Sequence, residues 1–215
     1  MLDSVTIQWL GHACFKIIAD DYSIVIDPYE NGYVPGFGPL QTDAVQVISS
    51  HNHKDHGFTE AVTIRPFGGE IPFRIEVVES WHDDQQGELR GPNKIHLLDG
   101  GGIRLAHLGD LGCMLTKEQF DRIGTPDVLM IPVGGYYTID AAAAKTIADR
   151  IGAKVTIPMH YRSPDFGFDV LDTLDIFTGF YTEGGPDICS YDTDRLTIDP
   201  DTKQQIAIFT QWNNN

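Results

Sequence analysis

The chain has 215 residues, of which 41% are hydrophobic and 21% are charged, as in a globular protein with one sizeable core. Its 31 acidic residues outnumber the 15 basic ones, and the net charge of −16 argues against a general nucleic-acid or anionic-membrane surface. No apolar run approaches the roughly eighteen residues of a membrane span, and residues 1–5 lack the features of a signal peptide. We therefore expect a single domain over residues 1–215, in the cytoplasm, with Cys14, Cys113 and Cys189 as free thiols.

Apolar alternation and turn residues divide the first half of the chain into strands. The predicted strands cover residues 5–10, 14–19, 23–26, 44–48, 62–64, 73–78, 95–98 and 103–108. Residues 29–43 are rich in Gly, Pro and Tyr and have no periodicity. We expect them to form a loop and a wall of a substrate cleft.

The second half of the chain alternates between helix and strand. Helices are predicted over 116–123, 140–151 and 169–177, and strands over 127–133, 154–158, 195–198 and 205–209, before a frayed end at 213–215. Many early strands followed by this alternation predict an α/β (α+β) fold of two mixed sheets with helices outside.

A histidine-rich motif, His51-Asn-His53-Lys-Asp55-His56, follows the apolar run 44–48. In extended backbone, His51 and His53 would point to the same side. An open catalytic zinc takes three protein ligands, so four ligand-type residues in six positions are best divided between two neighbouring ions.

Further ligands must come from the rest of the chain, where the candidates are His12, His82, His96, His107, His160 and carboxylates at strand ends. His82 and His160 each follow a predicted strand. Asp110 lies in a Gly-Asp-Leu-Gly turn, where its two oxygens could bridge two ions, although a plain turn residue is the alternative. His96 and His107 are better interpreted as structural residues.

The motif His51-x-His53-x-Asp55-His56 resembles the signature of the metallo-β-lactamase superfamily of binuclear metallohydrolases. Residues 9–15, 26–28, 109–110, 132–141 and 157–161 are similar to its ascorbate-6-phosphate-lactonase-like, zinc-dependent hydrolase branch. The resemblance implies a four-layer αββα sandwich. It also implies that a first ion is held by His51, His53 and His82, and a second by Asp55, His56 and His160, with Asp110 between them.

This resemblance predicts a hydrolase in which a hydroxide shared by two divalent ions attacks an ester, lactone or phosphoester of a small anionic metabolite. Zinc is the expected metal, with manganese or iron as alternatives, and Asp55 and Asp110 are the predicted catalytic carboxylates. A di-iron oxidoreductase and a non-catalytic metal-binding module remain alternatives. The expected partner is a small-molecule substrate, with no nucleic acid and no membrane, and a homo-oligomer stays open.

Two further stretches are candidates for supporting or substrate-facing roles. His12 lies in a Gly-His turn, and Asp27 is expected to orient a ligating histidine by accepting from its other ring nitrogen. In the loop 134–140, two glycines precede Tyr137 and Thr138 at the start of a helix. This loop either receives an anionic group at the helix N-terminus or is a structural turn capped by Thr138 or Asp140.

Overall fold

The computed structural model describes residues 4–181 and 185–212, so the predicted frayed end at 213–215 lies outside the described residues. In chain order, its elements are β1 (Val5–Gly11), β2 (Cys14–Ala19), β3 (Tyr22–Ile26), β4 (Thr42–Ala44), β5 (Gln46–Ile48), β6 (Val62–Ile64), β7 (Arg74–Trp81), β8 (Pro92–Gly100), β9 (Ile103–His107), α1 (Lys117–Ile123), β10 (Val128–Pro132), α2 (Ala141–Ile151), β11 (Val155–Met159), α3 (Leu174–Thr178), β12 (Asp187–Tyr191), β13 (Arg195–Ile198) and β14 (Gln205–Phe209). None of the described helices is long and apolar enough to cross a bilayer.

The strands form two large mixed sheets, which confirms the expected fold class. One sheet has the order β13-β1-β2-β3-β5, the other β12-β14-β11-β10-β9-β8-β7, and β4 pairs separately with β6. Apolar residues between the two sheets build the core, where the ring of Phe15 on β2 lies 5.8 Å from the ring of His107 on β9. The helix α1 contacts β7, and α2 contacts β10.

Chain direction brings the carboxyl ends of several strands to the same end of each sheet. In the smaller sheet, β1, β3 and β5 run parallel to one another, because β1 and β3 are each antiparallel to β2 and β3 is parallel to β5. In the larger sheet, the same reasoning makes β7, β9, β10 and β11 parallel. Ligand sites form where the carboxyl ends of parallel strands meet, so this edge of each sheet is where a site is expected.

The predicted strand over 44–48 is wrong in one respect, because the structure divides it. Ala44 ends β4, the backbone N–H of Val45 turns to the Ser23 carbonyl at 2.9 Å, and β5 covers only Gln46–Ile48. His51 and His53 therefore lie beyond the strand, and strand alternation is not what places them together.

In the last third of the chain, one prediction was wrong and one strand was missed. The helix predicted over 169–177 is reduced to α3, because Asp172 donates its N–H to the Gly134 carbonyl at 2.7 Å and Thr173 forms a bridge with Arg162. The edge strand β12 was not predicted, since it pairs with β14 alone and its residues are exposed or half-buried without an apolar alternation.

Candidate metal centre

The expected ligands lie in two adjacent groups beyond the strand ends. One group consists of His51, His53 and His82, whose candidate ligand atoms lie within 4.8 Å of one another. The same spacing holds for the second group, which consists of His12, Asp55, His56 and His160. The structure thus brings together residues that the chain separates by up to about 150 positions, and it adds His12 to the group of the second predicted ion.

Asp110 lies between the two groups. Its Oδ2 is 3.2 Å from His82 Nε2 and 3.3 Å from His160 Nε2, while its Oδ1 is 3.1 Å from His56 Nε2. A single carboxylate thus reaches imidazoles of both groups, which is the arrangement that a bridging ligand requires.

A tight turn gives the histidine-rich motif its shape. The N–H groups of His56 and Gly57 both donate to the carbonyl of His53, at 3.0 and 2.7 Å. This turn leaves the ring centroids of His51 and His53 4.6 Å apart, and those of His51 and His56 4.5 Å apart. The sequence spacing is therefore converted into one compact group by a turn rather than by a strand.

Asp27 orients the ring of His56 directly and the ring of His51 through Ser50. Its Oδ2 accepts from His56 Nδ1 at 2.9 Å and from the Ser50 hydroxyl at 2.6 Å, and that hydroxyl lies 2.9 Å from His51 Nδ1. Since Nδ1 of each ring is engaged here, each Nε2 is directed toward the centre of the site. Ser50 was not among the predicted site residues.

Asn93 holds the turn that carries Asp110. Its Oδ1 accepts from the Asp110 N–H at 3.0 Å, and its Nδ2 donates to the Leu108 carbonyl at 2.9 Å. Gly109 has a φ of 56°, and a Cβ atom there would lie 2.3 Å from Asn93 Oδ1. Glycine at this position therefore allows Asn93 to reach the turn.

The site passes a simple test of fit to metal ions. Among the described residues, the Nε2 atoms of His51, His56 and His160 and the Oδ1 of Asp110 are buried without a hydrogen-bond partner. They approach one another without hydrogen-bond geometry, as atoms that share a cation would. Each unsatisfied buried polar group costs about 1–3 kcal/mol, a cost that coordination removes. Imidazoles with carboxylates suit zinc, iron or manganese.

The protonation states of Asp110 and His51 also favour cation binding, whereas that of His56 opposes it. Burial opposes ionisation of Asp110, but His160 and His56 outweigh it and hold its pKa well below the usual range. Burial, together with the neighbouring His56, lowers the pKa of His51 to about 3. Burial opposes protonation of His56, but Asp110 and Asp55 outweigh it and raise its pKa, so a bound cation would displace that proton.

A cavity of about 260 Å³ opens beside the two groups. It is lined by Tyr33, His53, Asp55, His82, Arg90, Asp110, Tyr137 and Phe168. Tyr33 belongs to the loop 29–43 that was expected to form a cleft wall. Arg90 and Phe168 were not predicted, because no local motif marks them.

The loop 134–140, which precedes α2, contributes Tyr137 but not Thr138 to the cavity. Tyr137 lines the cavity, and its ring centroid lies 5.7 Å from the guanidinium carbon of Arg90. Thr138 lies outside the described lining, and its hydroxyl donates to the Ile139 carbonyl at 3.2 Å. The cap of α2 is Asp140, which accepts from Ala143 N at 2.8 Å. An acidic side chain therefore occupies the N-terminus of α2, where the sequence suggested that an anionic group could bind.

The two histidines interpreted as structural lie outside both groups. His107 is buried, with Nε2 2.9 Å from the Ala13 carbonyl and Nδ1 accepting from Gly109 N at 3.2 Å, so it joins the two sheets below the site. His96 is buried on β8. Cys113 is a half-buried thiol whose sulfur lies 4.0 Å from the Trp81 carbonyl.

Comparisons with known proteins show what this chain is similar to. A family model described as a β-lactamase superfamily domain matches residues 6–160, a range that includes every candidate ligand. A UPF0173 metal-dependent hydrolase of Thermoplasma acidophilum is 25% identical over 195 residues, which cover 76% of this chain and 86% of that protein. Another, from Hyperthermus butylicus, is 27% identical and covers 73% of this chain and 83% of its own.

A solved structure extends the similarity to the whole fold. A Thermotoga maritima protein assigned to the zinc-dependent hydrolases of the metallo-β-lactamase superfamily is 31% identical, with a TM-score of 0.71. The match covers 96% of this chain and 100% of the Thermotoga chain.

Proposed function

This chain belongs to the metallo-β-lactamase superfamily and is a metal-dependent hydrolase, and we propose that it works with two divalent ions. In this proposal the first ion is held by His51, His53 and His82. The second is held by Asp55, His56 and His160, with Asp110 shared between the two. Zinc is the proposed metal, because imidazole nitrogens supply most of the donors.

The position of Asp110 is the observation that supports two ions rather than one. Its two oxygens lie within 3.1 to 3.3 Å of Nε2 atoms from both groups. A single ion would use one group and leave buried imidazole nitrogens of the other unpaired. A carboxylate held by Asn93 between two sets of histidines is better explained by a pair of ions.

The residues of the chain have separate roles in the proposed hydrolysis. When bound, ions of this type supply hydroxide at neutral pH and polarise the substrate oxygen that gains charge. Asp55 reaches the cavity wall, where its carboxylate can hold or accept a proton beside the substrate. Asp27 and Ser50 keep the rings of His56 and His51 in orientation throughout.

The cavity supports a small anionic substrate with a hydrolysable ester, lactone or phosphoester bond. Its volume of about 260 Å³ lies just below the usual range of roughly 300–1,000 Å³ for small-ligand sites. Among the described residues that line the cavity, Arg90 is the one with a lysine or arginine side chain. Its guanidinium can pair with a carboxylate or phosphate of the substrate. The aromatic rings of Tyr33, Tyr137 and Phe168 can cover the apolar part of such a molecule.

The ascorbate-6-phosphate-lactonase-like branch belongs to the same proposal and directs the choice of test substrates toward sugar lactones and phosphoesters. A reducing, cytoplasmic location is proposed with it, since Cys14, Cys113 and Cys189 are free thiols.

Zinc titration followed by elemental analysis tests the pair of ions, and a panel of esters, lactones and phosphodiesters tests the reaction. We expect the native chain to hold two zinc ions, and Asp110→Ala to lose metal from both groups and at least about 100-fold in kcat/KM. Asp99→Ala, which removes a carboxylate on β8 3.4 Å from Arg104 Nη1, is the matched control. One ion at saturation, or full metal content and activity in Asp110→Ala, would show the proposal to be wrong.

A further inference from the structure

His12 lies beside the second group of ligands in a turn whose backbone is firmly held. It follows β1 with a φ of 54°, a left-handed conformation that is uncommon for residues other than glycine. Its carbonyl accepts from Trp9 Nε1 at 3.0 Å and from the N–H of His160 at 3.5 Å. The turn is thereby tied to the residue that follows β11.

The ring of His12 is enclosed by the second group rather than by the cavity. Its centroid lies 4.0 Å from that of His160 and 5.6 Å from that of His56. Its side chain has 0% exposure, and neither ring nitrogen has a hydrogen-bond partner among the described residues. The cavity lining does not include His12, so a substrate in the cavity would not touch this ring.

We propose that His12 is a ligand of the second ion, an inference that rests on the proposed pair of ions. Its Nε2 lies 3.5 Å from Asp55 Oδ2, and neighbouring ligand atoms of a tetrahedral zinc with bonds of 2.0–2.1 Å are about 3.4 Å apart. The candidate ligand atoms of His12, Asp55, His56 and His160 all lie within 4.8 Å of one another.

Coordination accounts for three features of His12 together. It gives a ligand bond to a buried imidazole whose ring nitrogens have no hydrogen-bond partner among the described residues, and it provides a reason for the positive φ. It also explains why a polar ring stands behind the site, away from the cavity. The second group would then hold its ion with three imidazoles and Asp55, plus Asp110 at its border with the first group. His53, His82 and Asp110 line the cavity, whereas Asp55 is the only described residue of the second group in that lining.

Scalar coupling between ¹¹³Cd and ¹⁵N tests this assignment without any assay of activity. The full chain, labelled with ¹⁵N-histidine and made metal-free, is titrated with ¹¹³Cd²⁺ alone. We expect two cadmium signals, one coupled to the ring nitrogens of His51, His53 and His82, and one to those of His12, His56 and His160. A second signal coupled to only two ring nitrogens would overturn the role of His12 while leaving the pair of ions intact. A single cadmium signal would overturn both proposals.

Two variants identify the third nitrogen of the second signal. His12→Asn suits the turn, because asparagine tolerates positive φ better than most residues, and it should remove one coupling from the second signal only. His96→Asn removes another buried histidine whose ring nitrogens have no hydrogen-bond partner among the described residues. It should leave both signals unchanged. An unchanged second signal in His12→Asn contradicts the inference. If His12→Asn fails to fold, the coupling count of the native chain decides the question.

Discussion

At the scale of single residues, Asp83 is the side chain that places Arg90 in the cavity. Its carboxylate accepts four backbone N–H groups, from Gln85 and Gly87 at 2.8 Å, from Leu89 at 3.0 Å and from Arg90 at 2.8 Å. Burial opposes ionisation of Asp83, but these donors outweigh it and lower its pKa. The ionised carboxylate therefore fixes the loop that follows His82.

Asp83→Asn should loosen this loop and weaken the binding of an anionic substrate. The new amide nitrogen would face N–H donors, so we expect the free energy of unfolding to fall by about 1–3 kcal/mol. KM for an anionic ester should rise while zinc content stays unchanged. Because the pKa is lowered in the folded state, the difference from the native chain is full above the unfolded pKa and shrinks as pH falls through the folded one. Chemical unfolding at several pH values and kinetics measure both effects.

The exposed neighbour Asp84 gives the control for this prediction. Asp84→Asn removes the same charge one residue away and should change neither stability nor KM appreciably. Equal effects of the two variants would show that net charge, rather than the loop, determines binding.

The sequence predicted the candidate ligands and one group that supports them, Asp27, but not Asn93 or Ser50. His51, His53, Asp55 and His56 stand within six positions, so their chemistry is visible in the sequence. Asn93 and Ser50 are ordinary polar residues, and they support the site only through hydrogen bonds to residues 17 and 23 positions away. Such pairs become visible only when the fold brings them together.

At the scale of elements, apolar periodicity predicted the buried strands well because burial and periodicity have the same cause. The strands β10 and β11 are buried throughout and were predicted within a residue or two of their ends. The edge strand β12 has half-exposed residues and one neighbour, so its backbone pairing leaves no apolar pattern. The shortened α3 shows the reverse, because tertiary hydrogen bonds took the backbone groups that a longer helix needed.

The capping of α2 gives a prediction for this scale. Asp140 accepts from Ala143 N at the helix start, so Asp140→Ala should lower the free energy of unfolding by about 1 kcal/mol. Asp149→Ala on the same helix removes only a partly exposed ion pair with Lys145 and should cost about 0.3–0.5 kcal/mol. Zinc content should stay unchanged in both. Urea denaturation measures the difference, and equal losses would contradict the capping role.

At the scale of the whole molecule, the site is assembled where strands of both sheets end. His12 follows β1, Asp27 follows β3, His82 follows β7 and His160 follows β11. The histidine-rich motif begins three residues after the end of β5, and Asp110 lies three residues after the end of β9. Periodicity predicted the buried strands and their order along the chain, but it missed β12 and the division of residues 44–48. The pairing that makes these strand ends meet is a long-range property, and only the resemblance to a known family indicated in advance which ligands would lie together.

The same assembly makes metal a part of the fold's stability. Asp27, Asp55 and Asp110 are brought together in a chain of net charge −16, so bound cations relieve repulsion as well as unpaired imidazoles. Free zinc at 100 times Kd adds about 2.7 kcal/mol per site, and each kcal/mol moves Tm by about 2–4 °C at this length. Chelation should therefore lower Tm by roughly 10–20 °C if both sites are emptied. Added zinc should restore Tm, whereas magnesium, which prefers oxygen ligands, should not. An unchanged Tm in protein shown by elemental analysis to be metal-free would separate the metal centre from the stability of the fold.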